Sequence, residues 1–233
     1  MDPNVPKGAA KLLDLIGDTE TGKKAPEAYG VIFGHRQGRL SKPLTEHTVD
    51  ELLDAQKAWA RNWGGSAAGR YQIIRKTMLG LKAELKLKGS QHFDANLQDR
   101  LGFHLLVRRK YADFVSRRLT VIQFGKLLAQ EWASFPVLED TQGATRKLDR
   151  GQSYYAGDGL NKSLIRPEAV EAILMLIRTG PPDVAKPDTP AEPLPPATER
   201  PTGRGGVFAL IIGGLLALAG AIFAFFQNGG TTP

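Results

Sequence analysis

The 233 residues contain no cysteine. That excludes a disulfide-stapled scaffold, thiolate zinc sites and every cysteine nucleophile. Histidine is scarce, with only His35, His47, His92 and His104. No two of these stand at helical spacing and no HExxH occurs, so neither a metal nor any other cofactor is expected. A GxSxG elbow and a phosphate-binding glycine loop are also missing, which removes two further common kinds of site. The opening stretch MDPNVPKGAAKLLDL has no apolar run of signal-peptide type, so export is not expected to be led from there.

Acidic charge is in deficit. Lys and Arg number 31 against 24 Asp and Glu, a formal net charge of +7. Residues 1–180 hold 28 of the bases and 20 of the acids, a net +8, so the remainder carries −1. A basic domain favours anionic partners, whether nucleic acid, acidic lipid headgroups or an anionic wall polymer.

Two stretches near the end lack something different. Residues 181–203 contain eight prolines and no aromatic residue. Such a stretch buries no core and is expected to lie extended, reaching roughly 70 Å at about 3.1 Å per residue. From Val207 to Phe226 there are twenty residues without a charge. At about 1.5 Å rise per residue these span roughly 30 Å, the thickness of a bilayer core. Gly213, Ala217 and Ala221 add a small-residue stripe along that segment. The expected organisation is a folded domain at 1–180, a Pro-rich linker at 181–206, a single transmembrane helix at 207–226 and a short polar tail at 227–233. Arg200 and Arg204 precede the apolar segment and no base follows it. The positive-inside rule then expects an inner-membrane anchor with the folded domain initially cytoplasmic.

Within 1–180 helical periodicity dominates. KLLDLIG (11–17) predicts a short amphipathic helix. At 46–59, Thr48 and Glu51 form a capping box ahead of Val49, Leu52, Leu53 and Trp59. Further helices are expected over 71–85, over 90–106 from a Ser90 cap, over 124–135, and over 167–178 with Pro167 first and Gly180 beyond its end. YGVIFGHRQGRLSKPL (29–44) is punctuated by glycine and reads as a short hairpin or loop. The expected class is α+β, mostly α. In RRKYADFVSRR (108–118), Arg108, Arg109, Arg117 and Arg118 are expected on one helical surface. That surface reads as a wall- or lipid-facing patch or a solvated face, and no nucleic-acid partner is expected.

Carboxylates remain as the chemistry-bearing groups. Glu20 follows the first helix in LLDLIGDTETG, just before a loop. A carboxylate held at a helix end can face a cleft, although most glutamates are simply solvated. SAAGRYQIIRKT (66–77) offers small residues, Ser66 and Gly69, that let a polymer approach the backbone. Arg70 and Tyr71 could brace such a site and Gln72 could hydrogen-bond a sugar; a plain helix start is the simpler alternative. SYYAGDG (153–159) sets Tyr154 and Tyr155 beside a glycine-rich turn, a pattern of carbohydrate clefts and equally of a packed tyrosine turn.

Taken in order, LLDLIGDTE, SAAGRYQIIRKT, LQDRLGFHLL, EWASFP and SYYAGDGLNKSL resemble the phage lambda-type endolysins of the lysozyme-like superfamily, over most of residues 10–165. Asp14 and Thr19-Glu20 match the family pattern that ends the first helix in its catalytic glutamate. Ala68 to Gln72 match its AGRYQ segment, and Trp132 to Pro136 its WASFP-type segment. SYYAGDG is similar to the AYNAGPG turn of lytic transglycosylases and sets Tyr154 on the sugar-contacting tyrosine. Where the family commonly has tryptophan two residues before the glutamate, this chain has Asp18.

The resemblance implies a lysozyme-like fold and peptidoglycan as partner. It implies cleavage of the β-1,4 bond between N-acetylmuramic acid and N-acetylglucosamine, with Glu20 as general acid. It also implies a single catalytic carboxyl, hence a lytic transglycosylase that leaves a 1,6-anhydro end. Were hydrolysis the outcome, Asp18, Glu27 and Glu46 are the candidate second carboxylates. A non-catalytic, membrane-tethered glycan-binding module is the alternative of another class.

Overall fold

The computed structural model describes residues 1–157, 159 and 161–180. The expected linker, transmembrane helix and polar tail lie outside the described residues. Among the described residues no helix is long and apolar enough to cross a membrane.

Among the described residues seven α-helices carry the fold: α1 (Lys7–Thr21), α2 (Val49–Trp63), α3 (Arg75–Glu84), α4 (Ala95–Arg108), α5 (Tyr111–Val115), α6 (Val121–Glu131) and α7 (Pro167–Thr179). One antiparallel ribbon, β1 (Thr141–Gln142) with β2 (Lys147–Leu148), pairs Thr141 with Leu148. The class is α+β, mostly α.

Helix α1 is central and packs against both α4 and α7. Its Leu12, Leu13 and Ile16 are fully buried among Leu97, Leu101 and Leu105 of α4 and Val170 and Leu174 of α7, in one continuous core. The rings of Phe114 and Phe124 stack at 4.4 Å between centroids where α5 meets α6. The helix starts are fixed by side chains. Thr48 and Glu51 close their capping box on α2, and Thr120 and Gln123 do the same on α6. Lys42 leads in holding the Glu51 carboxyl down, to about 2, with help from the Thr48 backbone N–H.

Several expectations need correction. The first helix runs from Lys7 to Thr21, so Glu20 lies in its last turn rather than after its end. Gly17 does not stop the helix, because its missing side chain is what lets the Arg70 side chain cross there. A Cβ at Gly17 would sit 2.5 Å from Arg70 Nε and 2.6 Å from its Cγ. The 71–85 helix begins only at Arg75, since Gln72 takes a positive φ of 46° and Ile73 bridges back to Ala68. Asp94, not Ser90, caps α4, accepting from Leu97 N–H at 2.7 Å. The 124–135 helix is α6, which starts earlier and ends at Glu131.

Residues 29–44 form a run of 3-10 turns, with consecutive left-handed φ at Gly34 and His35; the hairpin lies instead at 141–148. The 108–118 stretch is not one helix. Lys110 is left-handed and separates α4 from α5, and Arg117 is left-handed beyond α5. Arg109 turns inward to Glu131 at 2.7 Å, and Arg108 and Arg118 face Glu84 and Asp113 at 3.7 and 2.6 Å.

A polar network is buried at the centre. The Asp99 carboxylate, fully buried, accepts from Tyr71 Oη at 2.6 Å, Tyr29 Oη at 3.0 Å and the Asp2 N–H at 2.7 Å. Arg70 extends it, donating to Tyr29 Oη at 3.0 Å and to Asp14 at 2.6 Å. Burial, with Asp99 beside them, pushes the hydroxyls up, Tyr29 to about 12 and Tyr71 higher still, so both stay protonated as donors. The network ties α4 and the 66–73 segment to α1, and thereby fixes the helix that carries Glu20.

Candidate active site

The last turn of α1 is held by its own hydroxyls. Thr19 and Thr21 each donate to the carbonyl four residues back, Leu15 and Gly17, at 2.7 Å. Gly22 then closes the helix in the left-handed conformation, its N–H on the Asp18 carbonyl. Glu20 is thus presented at a rigid helix end, where the carbonyl end of the helix dipole already disfavours a negative charge.

The carboxyl of Glu20 lies deep between α1 and the segment that follows α6, while the residue as a whole stays half-buried. Desolvation pushes it up from 4.5 to about 7, and a hydrogen bond donated by Ser134 Oγ to Oε1 opposes the rise. Among the described residues no carboxylate contributes to that shift. The result is a glutamate that holds its proton near neutral pH yet can release it, which is what general acid–base catalysis requires.

Ser134 was not singled out as a site residue by the sequence, although it sits inside the WASFP motif. It is buried, and its placement is over-determined. Its carbonyl accepts the Leu164 N–H at 2.8 Å. Next to it, the Ala133 carbonyl accepts Ser153 Oγ at 2.7 Å, and Pro136 bridges to Ser153. The 153–155 turn is therefore bonded directly to the segment that meets Glu20. In that turn the Tyr154 and Tyr155 rings stand edge to face at 5.1 Å, both half-buried. Tyr155 Oη donates to the Gln130 carbonyl at 2.8 Å, which fixes its ring; burial raises this hydroxyl.

The 66–72 residues occupy a different place. Ser66 Oγ accepts the Arg75 N–H at 3.1 Å, which serves the start of α3. Gly69 has φ +73°, and a Cβ there would lie 2.3 Å from Gln98 Oε1, so only glycine fits against that buried amide. Arg70 and Tyr71 point inward to Asp14, Tyr29 and Asp99, and brace the fold behind α1. Gln72 Nε2 is turned back to the Gly69 carbonyl at 2.7 Å. The structure thus brings together Glu20, Ser134 and the Tyr154–Tyr155 turn, and it engages the side chains of Arg70, Tyr71 and Gln72 within the protein. Asp18 pairs with Lys24 at 2.8 Å, and Glu27 and Glu46 are exposed.

A mostly helical α+β protein with one carboxyl raised to about 7 and hydrogen-bonded by a buried serine has the constitution of an acid–base enzyme. The family model described as Endolysin matches residues 10–161, and the chain belongs to the endolysin family. That family implies a phage cell-wall-degrading enzyme with peptidoglycan as its substrate. No curated protein and no solved structure matches the chain.

Proposed function

We propose that the protein is a lysozyme-like muramidase that cleaves the β-1,4 bond from N-acetylmuramic acid to N-acetylglucosamine as a lytic transglycosylase. The observation that carries this is the raised carboxyl of Glu20, to whose shift no other carboxylate among the described residues contributes. Two-carboxylate glycosidases set a second acid about 5–5.5 Å away for retention or about 6.5–9.5 Å for inversion. Asp18, Glu27 and Glu46 make other contacts or face solvent.

In the proposed reaction, protonated Glu20 gives its proton to the glycosidic oxygen as the bond to the anomeric carbon breaks. The muramic 6-hydroxyl then attacks that carbon, and the Glu20 carboxylate takes the hydroxyl proton. The ring closes as a 1,6-anhydro sugar, no water is consumed, and Glu20 ends as it began. Ser134 steadies the carboxylate at mid-reaction, and the Tyr154–Tyr155 turn forms the neighbouring wall.

Mass spectrometry of muropeptides released from purified walls tests the reading. Anhydro-muramic ends as the main product are expected. Reducing muramic ends, heavier by one water, would instead mean hydrolysis and a second catalytic carboxylate.

The uncharged run 207–226 supports a membrane anchor in the same proposal. Arg200 and Arg204 ahead of it support, by the positive-inside rule, a domain held initially on the cytoplasmic side of the inner membrane, which would reach the wall after the membrane fails. Protease treatment of intact spheroplasts should spare the domain; its digestion before any membrane damage would reject this orientation.

A further inference from the structure

Beyond α5, Arg117 and the end of α7 line a shallow, open groove with Met175, Arg178 and Thr179. Its two guanidinium groups have no ion-pair partner among the described residues, whereas nearby Arg118 is neutralised by Asp113. Arg117 is exposed and held at φ 63°, an uncommon conformation for a side-chain-bearing residue. On the same helix end Met175 and Leu176 are 54% and 49% exposed, the two most exposed large apolar side chains among the described residues. Two cations unpaired among the described residues, beside two exposed apolar side chains, are a poor arrangement for water alone. They suit a surface that offers phosphates above hydrocarbon.

We infer that this end of α7, with Arg117, docks on an anionic phospholipid surface, the arginines holding lipid phosphates while Met175 and Leu176 enter the interface. The inference rests on reading 207–226 as a membrane-inserting segment. Charge complementarity selects the lipid, since among the described residues the groove is lined by two bases and no acid. The course of the chain supports it: the helix ends at Thr179, and 26 residues, 181–206, lead from there to the uncharged run.

The patch is weak by itself. An arginine near an anionic leaflet is worth about fivefold in affinity, so the pair gives roughly twenty- to thirtyfold. It becomes effective because a tether keeps the domain at high local concentration over the bilayer. Docking by α7 would hold the enzyme against the membrane in a fixed orientation while that membrane is intact.

The test uses the full chain with vesicles of pure phosphatidylcholine or of phosphatidylcholine with phosphatidylglycerol. Hydrogen exchange over residues 115–118 and 173–179 is expected to slow at least severalfold with the anionic vesicles alone. Arg117→Glu with Arg178→Glu should lose that slowing while still floating with both vesicles and still degrading walls; the two Arg→Lys changes should keep most of it. Equal exchange on the two vesicles would overturn the docking surface and leave the anchor reading intact. Failure to float with neutral vesicles would overturn the anchor reading instead. The surface then stands if anionic vesicles still bind the chain and the Glu pair abolishes this, and falls if they do not. Slowing of the same segments by soluble wall fragments without vesicles would assign the patch to the wall and reject the lipid.

Discussion

Replacing Glu20 by glutamine should remove activity and, above neutral pH, make the protein more stable. Folding raises this carboxyl from 4.5 to about 7, so the folded state binds its proton more tightly than the unfolded chain does. Between those values the unfolded chain ionises while the folded protein stays protonated. Stability therefore falls as pH rises, by about 1.4 kcal/mol per pH unit at the steepest. Below 4.5 both states are protonated and the group contributes nothing; above about 7 the loss is complete, at about 3 kcal/mol. The glutamine amide of Glu20→Gln has no proton to lose and keeps a carbonyl that accepts from Ser134. Urea unfolding of both proteins from about pH 4 to about pH 8 gives the answer. At the acid end the two curves should nearly coincide; at the alkaline end the variant should lead by about 1–3 kcal/mol, with wall degradation down by about 10²–10⁴. A stability difference that stays constant with pH, or a variant that weakens as pH rises, would refute the assignment of a desolvated carboxyl at this position.

Ser134→Ala removes the hydrogen bond that opposes the rise of Glu20, so the alkaline limb of the pH–activity profile should move to higher pH, with a stability loss of about 1 kcal/mol. An alkaline limb moving to lower pH would contradict this. Tyr71→Phe withdraws a donor from buried Asp99 and should cost about 1–3 kcal/mol in chemical denaturation without changing which bond is cut. Gly17→Ala drives a methyl into Arg70 at its Cγ as well as its Nε, and should destabilise by about 1–3 kcal/mol with α1 displaced. A melting temperature unchanged by that substitution would mean that Arg70 crosses α1 elsewhere.

Legibility followed the range of the interactions involved. The Thr48–Glu51 capping box, Pro167 at the start of α7 and Gly180 at its end were readable because each device closes within a few residues. Boundaries set by distant partners were not. Gly17 reads as a helix stop until Arg70, 53 positions later, is seen to fill the space that its missing Cβ leaves. Gln72 reads as helical until Ile73 is found bridging to Ala68. The left-handed residue Lys110, which splits the arginine-rich run in two, carries no glycine to announce it.

The same distinction divides the site. Glu20 ends an amphipathic helix, a local pattern shared with many solvated glutamates, and the match of Thr19-Glu20 to the endolysin pattern is what singles it out. Its raised proton affinity is not local, because desolvation by the protein packed round it sets the rise and a serine 114 residues away opposes it. The signal for Ser134 was present in WASFP, but a serine between two aromatic residues reads as packing until the Ser153 and Leu164 bonds show how it is aimed. Arg70 and Tyr71 stand out by motif, and their side chains are bonded inside the protein behind α1. Both are polar and lie beside a close-approach glycine, which suits a sugar-binding strand and equally suits a buried brace. Only burial separates these cases, and at 2% exposure for both residues the brace is what folds. Arg70 holds Asp14, and Asp14 stands six residues before Glu20 on the same helix, so the motif braces the helix that carries the proposed acid.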